Sequence, residues 1–112
     1  MAYFNSHLGL AFADDGSVEL DTRPEHEVAP GTIHFAVLVT LAEVAAARAT
    51  DASVVPASIH LNLMSRAKPG HLVGRGAVLK RGRTLTVAEG EVFQGERLVA
   101  KATVTFAVIG EG

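Results

Sequence analysis

The chain has 112 residues, 48% of them hydrophobic, a formal net charge of -2 and no cysteine. A length of this order holds one core and no second, so a single domain over residues 1–112 is expected. The charge balance argues against a nucleic-acid partner, and the lack of cysteine excludes disulfides, thiolate metal sites and a cysteine nucleophile, which suits a reducing cytoplasm.

From its N-terminus the chain shows no basic stretch followed by an apolar one. The longest apolar run, Phe35 to Leu41 broken by Thr40, is too short to cross a bilayer, so no membrane partner is expected. Residues 8–13 and 17–22 read as a hairpin around Asp14-Asp15-Gly16, because Asp-Gly supplies the positive φ angles of tight turns. Pro24 and Pro30 bracket a polar loop. The predicted helix opens at Gly31-Thr32, with Thr32 as N-cap, runs to about Ala49 and ends at Thr50-Asp51.

The rest alternates. Between Ser53 and Ala67, Val55, Ala57, Ile59, Leu61 and Leu63 fall on one face and Ser58, His60, Asn62 and Met64 on the other, the pattern of a half-buried strand. Turns at Lys68-Pro69-Gly70, Arg81-Gly82-Arg83 and Gln94-Gly95-Glu96 then separate strands at about 71–80, 84–93 and 97–109. Short connections make these antiparallel neighbours. One apolar helix followed by such a meander points to an α+β fold in which an antiparallel sheet wraps around one long central helix. In the last strand Val99, Lys101, Thr103 and Thr105 give the outer face a semi-polar character, open to solvent or to another subunit.

Glu43 is the only acidic residue between Glu27 and Asp51. In an apolar setting an ionised carboxylate loses solvation that packing does not return, so it must be neutral, paired or kept for chemistry. The alternative places it on an exposed stripe, since Thr40, Glu43 and Ala47 share one helical face. Other chemistries find less support. The five histidines lack paired ligand spacing, so no metal is expected, and no Gly-x-Ser-x-Gly occurs. His34 either orients its loop or reaches a reacting group, and His60 and Asn62 either line a pocket or interface or belong to an ordinary polar face.

Gly31-Thr32-Ile33-His34, with Glu43 of Leu41-Ala42-Glu43 nine residues after His34, resembles the active-site signature of hot-dog-fold acyl-CoA thioesterases of the phenylacetate-pathway, 4-hydroxybenzoyl-CoA thioesterase-like type. Ala57 to Leu63, Lys68-Pro69-Gly70, Arg81-Gly82-Arg83 and Val99 to Phe106 are similar in order and spacing to that family's strands and turns. The resemblance spans residues 8 to 109 or so. It implies the hot-dog fold, homodimers that pair into dimers of dimers, and hydrolysis of an acyl-CoA thioester to a carboxylic acid and coenzyme A without a cofactor. Glu43 then serves as base or nucleophile and the Phe35 N–H, at the helix start beside His34, as oxyanion donor. Ala36, His60 and Asn62 fall to substrate binding, and the basic turns carrying Arg81 and Arg83 either grip the coenzyme A phosphates or are simply solvated. Four positions depart from the family: Phe35 and Ala36 of His34-Phe35-Ala36 replace the glycines of His-Gly-Gly, Val28 replaces Asn or Gln, and Ala47 replaces Ser or Thr. A catalytically silent hot-dog protein that binds acyl-CoA or another apolar ligand is the alternative these departures favour.

Overall fold

The structure, a computed structural model, describes residues 3–111. Its elements in chain order are α1 (Phe4–Leu8), β1 (Ala11–Phe12), β2 (Val18–Asp21), β3 (Glu27–Ala29), β4 (Thr32–Ile33), α2 (Phe35–Thr50), β5 (Ala52–Leu63), β6 (His71–Lys80), β7 (Leu85–Gln94) and β8 (Arg97–Glu111). Six strands form one antiparallel sheet in the order β1-β2-β6-β7-β8-β5, and β3 and β4 form a separate hairpin where a plain loop was expected. The Asp14–Gly16 hairpin is present but short. The Asp15 carboxylate holds its turn by accepting from the Ser17 N–H at 2.9 Å and the Ser17 hydroxyl at 2.6 Å.

Cross-strand pairing decides which face each residue joins, because directly paired residues project to the same side. Gly90 pairs with Ala102 and Ala102 with Leu61, while Ala88 pairs with Val104 and Val104 with Ile59. This is the side that covers α2, and Ala88, Ala100, Ala102, Val104 and Phe106 are fully buried there. The helix sits close to the sheet because both surfaces are small. Ala42, Ala45 and Ala46 are fully buried and meet a trough made by Gly74 and Gly76 of β6 and Gly90 of β7.

The opposite side carries Glu89, Glu91, Lys101 and Thr103, with the Lys101 ammonium 3.4 Å from Glu89 and 3.8 Å from Glu91. That is the semi-polar outer face the alternation of the last strand predicts, except that Val99, expected there, is fully buried, because the register shift opposite Val92 and Phe93 leaves it unpaired in the ladder.

Strand β5 departs from the predicted pattern. A register shift between Pro56 and Ser58 inserts one residue, so Val55 pairs with Ala107 on the outer side while Ile59, Leu61 and Leu63 turn toward the helix side. A one-residue bulge inverts the alternation, and the five apolar residues do not share a face. The strand lies at the sheet edge, where a proline costs no ladder bond. It is mostly exposed rather than half-buried, with Ile59 42% and Leu63 55% accessible.

The helix boundaries follow from their caps. Thr32 does not cap α2, because the Ile33 N–H donates to the Ala67 carbonyl at 2.9 Å and Thr32-Ile33 are extended in β4. His34 caps it instead, with Nδ1 accepting from the Ala36 N–H at 2.9 Å. At the other end Asp51 takes a left-handed φ of 52° and the Arg81 guanidinium donates to the Thr50 carbonyl at 2.7 Å.

Candidate active site at the start of the central helix

His34 is anchored on both sides. Its N–H donates to the carbonyl of His26, a buried residue whose own Nδ1 accepts from the Arg23 N–H, both at 2.9 Å. Because Nδ1 of His34 is the acceptor in the cap, a neutral ring carries its proton on Nε2. The ring also stacks on Phe35, centroids 4.8 Å apart. His34 therefore holds the entry to the helix. The cap leaves the N–H of Phe35, the first helical residue, without a hydrogen bond among the described residues, as expected for a donor in the first turn. A free N–H at a helix N-terminus, aided by the helix dipole, is equipped to stabilise a developing oxyanion. Phe35 and Ala36 are both exposed in the isolated chain.

Glu43 lies one turn past the middle of the first half of α2. The helix is not apolar and buried all round, because Val39, Thr40, Glu43 and Ala47 form a half-exposed stripe opposite the buried Leu41, Ala42 and Ala45. At 100° per residue Glu43 leans toward the flank of Phe35 and Val39. Arg48, which donates to the Ser17 carbonyl at 2.7 Å, marks the other flank, beside β2. No hydrogen bond or ion pair holds the carboxylate among the described residues, and burial alone pushes it above its ordinary value. A carboxyl in this state is readily made a base in a water-poor site.

The other sequence-predicted residues lie elsewhere in the single chain. His60 pairs with Thr103 and Asn62 with Lys101, which puts both on the outer sheet face, away from α2. Arg81 binds the C-terminal end of α2, and Arg83 is exposed in the same turn; the helix is 16 residues long, so about 24 Å separates its two ends. A pocket of about 400 Å³ does adjoin the helix start, lined by Val28, Thr32, Ile33, His34, Phe35, Leu38, Leu63, Ser65, Arg66 and Ala67. Leu38, Leu63 and Ala67 read in the sequence as ordinary core or strand residues, and no local pattern marks them as pocket walls. Among the described residues no group of three or more His, Asp or Glu is placed to hold a metal, and no helix is long and apolar enough to cross a membrane.

An antiparallel sheet wrapped around one long helix is the hot-dog fold of thioesterases, here with a lone desolvated carboxylate on the helix and one free N–H at its start. A family model described as the acyl-CoA thioesterase N-terminal domain matches residues 23–107, and the chain belongs to that family of thioester hydrolases. Among solved structures, a conserved protein of Pseudomonas aeruginosa is 27% identical with a TM-score of 0.86, over 97% of this chain and 95% of that one. A mutant of the phenylacetic acid degradation protein PaaI from Thermus thermophilus is 26% identical with a TM-score of 0.83, over 95% and 98%. A Bacillus halodurans protein solved with CoA shares the fold at 20% identity and a TM-score of 0.86, over 97% and 77%. Among curated proteins, none matches the chain.

Proposed function

We propose that residues 1–112 act as one thioesterase domain that hydrolyses an acyl-CoA at a site shared between two chains, with Glu43 of one and the Phe35 N–H of the other. The observation that carries this reading is the position of Glu43: half-desolvated, unpaired, and leaning toward the flank where Phe35 lies. Eight positions separate Phe35 from Glu43, about 12 Å along a helix axis, too far for both to act on one carbonyl within a chain. The edge of β5 supplies the means of pairing. Its 12 residues offer an open row of backbone donors and acceptors beside the exposed Ile59 and Leu63, an arrangement that invites a partner strand. Two-fold pairing there sets two central helices antiparallel, the start of each facing the partner's Glu43.

In such a dimer, Glu43 deprotonates a water that attacks the thioester carbonyl, or attacks it directly. The Phe35 N–H receives the oxyanion, and collapse of the tetrahedral intermediate expels the coenzyme A thiolate, which takes the proton that Glu43 drew from the water. After direct attack, a water instead cleaves the acyl-Glu43 anhydride to the free acid, restoring the carboxylate and leaving a proton for the thiolate. Ala36 and His34 keep that donor aimed through the cap. Antiparallel helices also bring the Arg81–Arg83 turn of the chain that gives Glu43 past the partner's helix start, within reach of coenzyme A phosphates. His60 and Asn62, on the outer face, fit contacts in a dimer of dimers rather than in the acyl site. The absence of cysteine suits a cytoplasmic setting.

The deciding experiment measures free thiol released from a panel of acyl-CoAs by wild type and Glu43→Gln. Release by wild type alone supports the mechanism, equal release by both removes Glu43 from it, and binding without release by wild type favours a ligand-binding module.

A further inference from the structure

We infer that the acyl group this site takes is an uncharged hydrocarbon chain of medium length, seated in the pocket of about 400 Å³ between the start of α2 and the end of β5. The inference rests on the thioesterase reading and deepens it. Two pockets flank His34. The other, about 290 Å³, includes Glu25, Glu27 and His26 in its wall beside Phe4 and Leu8 of α1, so an acyl chain there would desolvate carboxylates. The first is walled mainly by Val28, Ile33, Phe35, Leu38, Leu63 and Ala67, and its Phe35 edge carries the N–H assigned above to the oxyanion in the proposed mechanism.

Two of the polar groups in that otherwise apolar wall are committed. The Ser65 hydroxyl donates to the Leu98 carbonyl at 3.3 Å, and Nδ1 of His34 takes the Ala36 N–H. Arg66 is an exposed residue at the pocket rim, and its backbone carbonyl is held by Arg97 at 3.0 Å. None of the remaining polar groups of Thr32, His34 and Arg66 belongs to a buried residue, so a hydroxyl or carboxylate at the far end of an acyl chain meets mainly hydrocarbon, which costs affinity that a hydrocarbon end does not lose. Val28, a branched hydrocarbon 59% exposed, adds to the apolar wall. The size of the pocket, near the small end of the range for organic ligands, sets the optimum at roughly six to ten acyl carbons.

The test is the specificity constant across acetyl-, butyryl-, hexanoyl-, octanoyl-, decanoyl- and dodecanoyl-CoA, with adipoyl-CoA as the charged counterpart of hexanoyl-CoA. Each added methylene should raise kcat/KM about threefold up to the optimum, and adipoyl-CoA should fall at least roughly tenfold below hexanoyl-CoA. Val28→Trp, away from the β5 edge, and separately Leu63→Trp, with the dimer confirmed by its elution volume, should lower the octanoyl-to-butyryl ratio about tenfold or more by filling the pocket. Adipoyl-CoA turned over as well as hexanoyl-CoA would assign Arg66 to the acyl end and overturn the proposal. So would unchanged ratios in both variants, or no dependence on chain length.

Should no thioester be hydrolysed, the catalytic reading fails by itself. The pocket is then judged by calorimetry with non-hydrolysable thioether analogues of butyryl-, octanoyl- and adipoyl-CoA, where tighter binding of the octanoyl analogue upholds it and equal binding of all three overturns it.

Discussion

Gly90 lies directly beneath Ala42, so near that a Cβ built on the glycine would overlap the Ala42 carbonyl. The backbone of β7 and the backbone of α2 thus meet with no side chain between them, and the neighbouring Glu43 inherits its height above the sheet from this contact. Gly90→Ala must lift or tilt the helix, at a cost of about 1–3 kcal/mol. Thermal unfolding should show a lower Tm, and turnover per folded molecule should fall as well, because the carboxylate moves with the helix. An unchanged Tm would mean that the helix is not seated on the sheet as closely as the structure has it.

Removing the carboxylate separates catalysis from stability. Glu43→Gln should reduce turnover by roughly a hundredfold or more while the protein still folds. In wild type, kcat should rise with pH through the raised value of the Glu43 carboxyl, since the base acts ionised. The stability effect has the opposite sense. A carboxyl whose folded value stands above its ordinary 4.5 favours folding when protonated, and that contribution is present below 4.5 and lost as pH rises through the folded value. The gain in Tm from Glu43→Gln should therefore be larger at neutral pH than at pH near 4, as pH-dependent unfolding would reveal.

His71 behaves in a complementary way at the far side of the sheet. It bridges β6 to β2, with Nδ1 2.8 Å from Asp21 and Nε2 2.9 Å from Glu19, and the hydrogen bond to Asp21 above all holds its value up. A histidine raised in the folded state stabilises most below its ordinary 6.5 and loses that contribution as pH climbs through the folded value. His71→Gln should lower Tm at pH 6 and have little effect at pH 9. Salt should weaken the difference, because these groups are largely exposed.

A shared site can be rebuilt from two broken chains. Ala36→Pro removes the N–H that His34 captures and bars the helical conformation at Phe35, spoiling the oxyanion donor. Mixed with Glu43→Gln, and given subunit exchange, it should yield hybrid dimers with one working site of two. Activity that stays at the level of the separate variants would place each site within one chain.

Arg81 and Arg83, adjacent to the same turn, should answer differently. Arg81→Ala loses the bond to the Thr50 carbonyl and should lower stability by about 1 kcal/mol, in addition to any effect on KM. Arg83→Ala should leave Tm unchanged and raise KM for acyl-CoA, with the increase shrinking at high salt and vanishing for a truncated thioester without the nucleotide. A rise in KM of the same factor for both substrates, or for neither, would remove the turn from phosphate binding.

Sequence alone was enough for the features set by neighbours along the chain. The alternation in β6, β7 and β8, the glycine-bearing turns between them and the single helix are local patterns with periods of about two and 3.6, and they require an α+β sheet around a helix. Glu43 was legible for a related reason, since one charge in a long apolar stretch stands out without any knowledge of its surroundings. The pairing of distant residues was not legible. A single inserted residue near Pro56 moved Val55 to the outer face, a contact from Ile33 to Ala67 shifted the cap from Thr32 to His34, and Arg81 found the Thr50 carbonyl 31 positions away. Which side of the sheet receives His60 and Asn62, which walls enclose the pocket beside Phe35 and which edge stays open on β5 all depend on strand register and helix placement. Those are decided by burial summed over the whole fold, and no stretch of sequence carries that sum by itself.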